Sequence, residues 1–251
     1  LPKSVTPRLR IFAGPNGSGK TSLVRNFPKA IKLGVLVNAD DIEKELNQTN
    51  ELALKPYGIN INAKSLLHHF ANGICATKGI SLKLQNIDIE QHKLVIKNLV
   101  INSYIAADIA EFIRLKLLSS GKSFSFETVF SHQSKLEFIK LAKANGYRVY
   151  LYFIATESAD INISRVENRV AKSGHHVDAK IISSRYSRTL GNLFDAVKLS
   201  NRAYVFDNSG EYAELVCEVT EGRKVIMRDI DKQIPEWFKN YFYAKAIKNK
   251  V

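Results

Sequence analysis

The chain has 251 residues, 45% of them hydrophobic and 24% charged, with a net charge of +13. That is the composition of a globular protein with a substantial core, not of a disordered one. No apolar run approaches the roughly 18 residues a bilayer crossing needs and the first ten residues are polar and basic, so neither a membrane partner nor a secretory address is expected.

In chain order, strands are expected at residues 9–13, 35–38, 123–128, 147–155 and 202–206. Each is short, rich in β-branched or aromatic residues, and bounded by Gly, Asn, Asp or Ser. Helices are expected at 20–27, 41–46, 103–119, 135–145, 159–171 and 179–200. Beyond Asn208-Ser209-Gly210, residues 214–219 and 224–228 read as a hairpin around Glu221-Gly222, and 235–250 as a helix packing through Trp237, Phe238, Tyr241 and Phe242. Residues 47–100 are too long for a loop. With helical patterns at 63–75 and 91–101, they read as a mostly helical insertion. Alternating strands and helices predict an α/β fold with a largely parallel sheet, in one domain spanning 1–251.

Residues 1–32 hold seven Lys or Arg and no acid, and residues 223–251 hold eight against three acids. The basic excess therefore lies at the two ends, where it would steer a polyphosphate or an acidic protein. No nucleic-acid motif accompanies it, so nucleic acid is not the expected partner. Cys75 and Cys217 make no disulfide framework and suit a reducing, cytoplasmic setting. His68, His69, His92 and Cys75 do not fall into a zinc-ligand spacing.

The strongest chemical signal is Gly14-Pro15-Asn16-Gly17-Ser18-Gly19-Lys20-Thr21, a complete G-x-x-x-x-G-K-T phosphate loop between an apolar strand and a helix-forming run. The glycines let successive N–H groups point at phosphate oxygens, and the helix start adds positive potential. Lys20 would reach the β- and γ-phosphates of ATP or GTP, and Thr21 would offer its hydroxyl to Mg²⁺.

The acceptor side needs a base and a cation for the transferred charge. Asp40 and Asp41 end the second strand, where ligands of parallel sheets sit. Asp40 with Glu43 also has capping-box spacing, a role compatible with chemistry. Glu127 ends the third strand as a candidate Mg²⁺ or acceptor ligand. Arg165 and Arg169 share a helix face ahead of Lys172-Ser173-Gly174-His175-His176, a stretch suited to a lid. Ile181, Arg185, Arg188 and Asn192 form one helical stripe, opposite an apolar one of Ile182, Tyr186, Leu190, Leu193 and Val197. The arginine stripe also fits a solvated face.

The phosphate loop is similar to that of ABC-type ATPases, but the Leu-Ser-Gly-Gly-Gln signature and the strand ending in Asp-Glu are absent. A fuller resemblance is to the zeta toxins, P-loop kinases that form the toxic half of bacterial toxin–antitoxin pairs. It rests on the phosphate loop, Val37-Asn38-Ala39-Asp40-Asp41, Phe126-Glu127-Thr128, and Arg165-x-x-x-Arg169 followed by Gly174-His175. The resemblance implies five strands in the order 2-3-1-4-5 and phosphorylation of a hydroxyl on a small phosphorylated acceptor, a nucleotide sugar such as UDP-N-acetylglucosamine. It implies Asp40 as base, Lys20 and Thr21 on nucleotide and Mg²⁺, and Arg165 or Arg169 as the lid arginine. It further implies acceptor contacts from Asp41, Glu127, Thr128 and His175, to which the helical stripe adds Arg185 as a candidate, and an antitoxin protein as partner. After Glu127, the chain reads Thr128-Val129-Phe130-Ser131 where those toxins continue Gly-Thr-Gly-Arg, a departure on the acceptor side. A polynucleotide 5′-end kinase and a nucleotide-binding module without turnover are the alternatives.

Overall fold

The computed structural model describes residues 6–171, 177–228 and 233–249. In chain order, β1 (Arg8–Ala13), α1 (Lys20–Arg25), β2 (Val35–Val37) and α2 (Ala39–Thr49) come first. A mixed stretch follows, with β3 (Glu51–Ala53), α3 (Ala63–Asn72), α4 (Ile74–Thr77), β4 (Ile87–Glu90) and β5 (Lys93–Ile96). Next are α5 (Ser103–Ser119), β6 (Phe124–Thr128), α6 (Ser134–Ala144) and β7 (Arg148–Ala155). They are followed by α7 (Ala159–Val170), α8 (Ala179–Gly191), α9 (Leu193–Leu199) and β8 (Arg202–Asp207). The hairpin of β9 (Glu214–Thr220) and β10 (Lys224–Met227) precedes α10 (Glu236–Phe238), a π-helical turn (Lys239–Tyr243) and α11 (Ala244–Lys248). The chain separates into two compact units, Leu1–Lys32 with Phe126–Val251, and Leu33–Ser125.

The first unit is built on strands in the order β10-β9-β8-β7-β1-β6. β1 and β8 flank β7 in parallel, with Ile11 opposite Leu151 and Leu151 opposite Ala203. Strand alternation explains the burial: Leu9, Ile11, Val149, Leu151, Ala203 and Val205 all have no exposed surface, as one face of a sheet pressed against helices requires. On the other face Phe12, Tyr152 and Tyr204 stack across three strands, with centroids 5.0 and 5.1 Å apart, and Phe27 meets Phe12 and Tyr152 edge-on. Phe12 and Tyr152 are buried in this stack, each stabilising the fold by about 2 kcal/mol. Burial also pushes the Tyr152 phenol up to about 12.

The hairpin does not stand apart from the sheet. β9 pairs antiparallel with β8 and β10 with β9, so the first unit alone carries six strands, more than the five expected of the whole sheet. It covers the ladder groups that β8 would otherwise present at an edge. The helix expected over 179–200 is two helices, α8 and α9, because Asn192 ends the first and turns its side chain away to the Phe130 carbonyl, 3.0 Å off. Near the carboxyl end, Trp237, Phe238 and Phe242 are buried, and the Phe242 ring lies 5.9 Å from that of Phe194 on α9.

In the second unit β2 runs beside the start of β6, the Val35 N–H donating to the Ser123 carbonyl at 3.4 Å. Within the first unit the strands read at 9–13, 123–128, 147–155 and 202–206 lie in the expected order 3-1-4-5. The stretch 47–100 is not simply helical, since it also holds a three-stranded antiparallel sheet in the order β3-β5-β4. Residues 91–101, read as helix, contain β5 instead. Gln91 and His92 both take positive φ, +46° and +63°, the two-residue turn whose twist matches a hairpin. That turn sets Glu90 against Lys93 and Ile89 against Leu94. In the same unit the buried Asp108 carboxylate accepts the Ile74 and Cys75 N–H groups, each at 2.9 Å. Burial, reinforced by Asp108, pushes the Cys75 thiol up to about 12. Among the described residues no helix is long and apolar enough to cross a membrane.

Candidate nucleotide site

Between β1 and α1 the chain has no side chain larger than asparagine until Lys20, and it curls sharply. Gly14 and Gly19 take φ of +153° and +101°, values that glycine adopts without strain. The Gly14 N–H donates to the Thr128 carbonyl at 3.3 Å, fastening the start of the loop to the end of β6. The Lys20 ammonium lies back over the loop, donating to the carbonyls of Gly14 at 2.9 Å and Pro15 at 2.8 Å. The Thr21 hydroxyl donates to Glu127 Oε2 at 2.8 Å. Two hard oxygen donors thus meet at the mouth of the loop, a set that fits Mg²⁺, which takes one or two protein oxygens alongside phosphates and water.

Beyond Glu127 the backbone is strained and held. Phe130 is buried with φ of +62°, a conformation that costs a non-glycine residue on the order of 1 kcal/mol. Its N–H donates to Thr128 Oγ1 at 3.1 Å. From α8, Thr189 donates to the Val129 carbonyl at 2.8 Å and Asn192 to that of Phe130. Of the α8 stripe, Arg185 is half-buried and Arg188 is exposed, its Nε donating to the Ser184 carbonyl of its own helix at 3.2 Å.

The Arg165 guanidinium donates to the carbonyls of Asn208 at 2.7 Å and Gly210 at 2.9 Å, in the turn after β8. Arg169 is exposed on the last turn of α7. His175 and the rest of 172–176 lie outside the described residues. In the second unit Asp40 and Asp41 sit in the first turn of α2, both exposed. The cap of that helix is Asn38, whose side chain accepts the Asp40 N–H at 2.9 Å. The capping role weighed for Asp40 therefore belongs to its neighbour, because Asn38 holds the extended backbone a cap needs.

Sequence reasoning missed Asn208. Its side-chain Nδ2 donates to the carbonyl of Ser18 in the phosphate loop at 2.8 Å. Asn-Ser-Gly spells only a turn, and no local signal reveals a partner 190 residues away.

Residues 101–214 match the zeta toxin family model. Over that stretch the chain is similar to the zeta toxins. An uncharacterized protein of Haemophilus influenzae is 24% identical over 176 residues, which are 70% of this chain and 89% of that one. Among solved structures, the AvrRxo1-ORF1:AvrRxo1-ORF2 complex with sulphate ions aligns over 91% of this chain at TM-score 0.53 and 15% identity. The chain spans 62% of the length of that protein, and the same complex has been solved with ATP. The PezAT chromosomal toxin–antitoxin system of Streptococcus pneumoniae aligns over 96% of this chain and 80% of its own at TM-score 0.51 and 14% identity. These likenesses establish an α/β fold with a mostly parallel central sheet.

Proposed function

We propose that the chain is a nucleotide-dependent phosphotransferase that moves the γ-phosphoryl group of ATP or GTP to a hydroxyl of a small phosphorylated acceptor. The observation that carries this reading is the phosphate loop with Thr21 hydrogen-bonded to the strand-end carboxylate of Glu127. On nucleotide binding, Lys20 exchanges the two loop carbonyls for β- and γ-phosphate oxygens, and the loop N–H groups hold the rest. Thr21 and Glu127 would hold Mg²⁺, which when bound neutralises charge on the phosphates. Asp40 is the proposed base. Its exposed carboxylate is relieved of capping by Asn38, which supports its taking the acceptor proton. The acceptor oxygen then attacks the γ-phosphorus in line, and the bond to the β-bridging oxygen breaks to release the nucleoside diphosphate. Arg169 is the cation proposed to spread the developing charge.

The finer reading, from the zeta toxin resemblance, is a nucleotide-sugar acceptor such as UDP-N-acetylglucosamine, contacted by Asp41, Thr128, His175 and Arg185. An antitoxin protein would be the natural partner, by analogy with the PezAT toxin–antitoxin system, and the cytoplasm the natural setting.

The test is nucleotide turnover with a panel of nucleotide sugars, followed by mass spectrometry for a phosphorylated product. Lys20→Ala is expected to lower turnover about a thousandfold, and Asp40→Asn at least about a hundredfold with nucleotide affinity retained. Full-rate phosphorylation by Asp40→Asn would remove the base from Asp40.

A further inference from the structure

The turn after β8 is fastened from several directions. Asp207 Oδ1 accepts the Ser209 hydroxyl and the Trp237 indole N–H, each at 2.7 Å. The Glu157 N–H donates to Ser209 Oγ at 2.7 Å. The Asn208 N–H donates to the Ala155 carbonyl at 2.8 Å. Arg165 takes the carbonyls of Asn208 and Gly210. One side chain of this turn reaches the phosphate loop: Asn208, on the Ser18 carbonyl. Its amide packs so tightly on Gly19 that a Cβ there would overlap it.

We propose that Arg165 and Asn208 are positioning residues for the phosphate loop, Arg165 holding the turn and Asn208 holding the loop through it. This rests on the phosphotransferase reading and reassigns one residue within it. Arg165 directs two donors at carbonyls of a turn that is itself tied to Trp237, and that turn carries the Asn208 amide that holds Ser18. The consequence for binding is physical. The N–H groups of the loop grip a polyphosphate only in one curvature, and a loop that must first be ordered binds more weakly by the free energy of ordering. Arg165 and Asn208 remove that cost before the ligand arrives.

The experiment is calorimetric binding of a non-hydrolysable ATP analogue with Mg²⁺, alongside steady-state turnover, on the full chain. Asn208→Ala and Arg165→Ala are each expected to raise Kd about tenfold, the worth of one well-placed hydrogen bond, while kcat at saturation stays within about threefold. Arg165→Lys is expected to recover part of the affinity. The double variant is expected to be no weaker than the weaker single, because both act along one path. Trp237 is the sole tryptophan of the chain, so its emission reports the turn without ambiguity. Analogue binding is expected to change that emission in the wild type and not in saturated Asn208→Ala. Arg165→Ala with unchanged Kd and kcat down more than a hundredfold would overturn the proposal and return Arg165 to the transferring phosphoryl. So would an undiminished Trp237 response in Asn208→Ala. Lys20→Ala serves as the separate control: if it bound the analogue as tightly as wild type, the phosphate-loop reading would fail, whatever Arg165 and Asn208 did.

Discussion

Gly14 and Gly19 have similar backbone demands but different neighbours. A Cβ on Gly14 would strike the backbone carbonyl of Ile154 in β7, which has nowhere to go; on Gly19 it would strike the side-chain amide of Asn208, which can swing aside. Gly14→Ala is therefore expected to lower stability by about 3 kcal/mol. Gly19→Ala should cost about 1 kcal/mol of stability while weakening nucleotide binding about tenfold, because it pushes Asn208 off Ser18. Denaturant melts and analogue titrations on the two variants separate the cases. At this scale the sequence was most legible where chemistry is contiguous. Gly14 to Thr21 announces itself because eight neighbours build one cradle. Asn38 and Asp40 were harder to tell apart, since either side chain can cap a helix and only the backbone angle at Asn38 decides. The role of Arg165 could not be read from spacing, because its acceptors are carbonyls and every residue carries one.

The elements around the site owe their geometry to polar hooks as well as to apolar faces. The end of β6 keeps its strained turn at Phe130 because α8 reaches across with Thr189 and Asn192. Thr189→Val keeps the shape and deletes the donor, leaving the Val129 carbonyl unpaired. An expected loss of about 1–2 kcal/mol, read from the shift in urea midpoint, checks the hook. Strands β1, β7 and β8 were legible because alternation and β-branching coincide there with a fully buried face. β5 was not: Lys-Leu-Val-Ile suits a helix as well as a strand, and four residues are too few for periodicity to arbitrate. What decides it is the turn at Gln91-His92, whose positive φ values no Asn-Gly or Asp-Gly pair advertises. The join of the hairpin to β8 was likewise invisible, since a hairpin reads the same whether it stands alone or extends a sheet.

For the whole molecule, the thiols offer the simplest test of how tightly the core is closed. Burial pushes Cys75 and Cys217 up to about 12, so the folded chain keeps both protons at pH values where unfolded thiols, with pKa near 8.5, have lost theirs. The unfolded state then binds fewer protons, and stability falls as pH rises from about 9 toward 12. The urea midpoint is expected to drop between pH 8 and 10.5, and less steeply in the Cys75→Ala, Cys217→Ala double variant. Below pH 9 a thiol reagent should label neither cysteine until the chain is unfolded.

The tie between Ser18 and Asn208 joins an early segment of the chain to a late one, and Trp237 lies later still. During synthesis Asn208 follows Ser18 by 190 residues. A nascent chain therefore carries an unfastened cradle through all of that elongation, and the tie closes only once the later segment has emerged and folded.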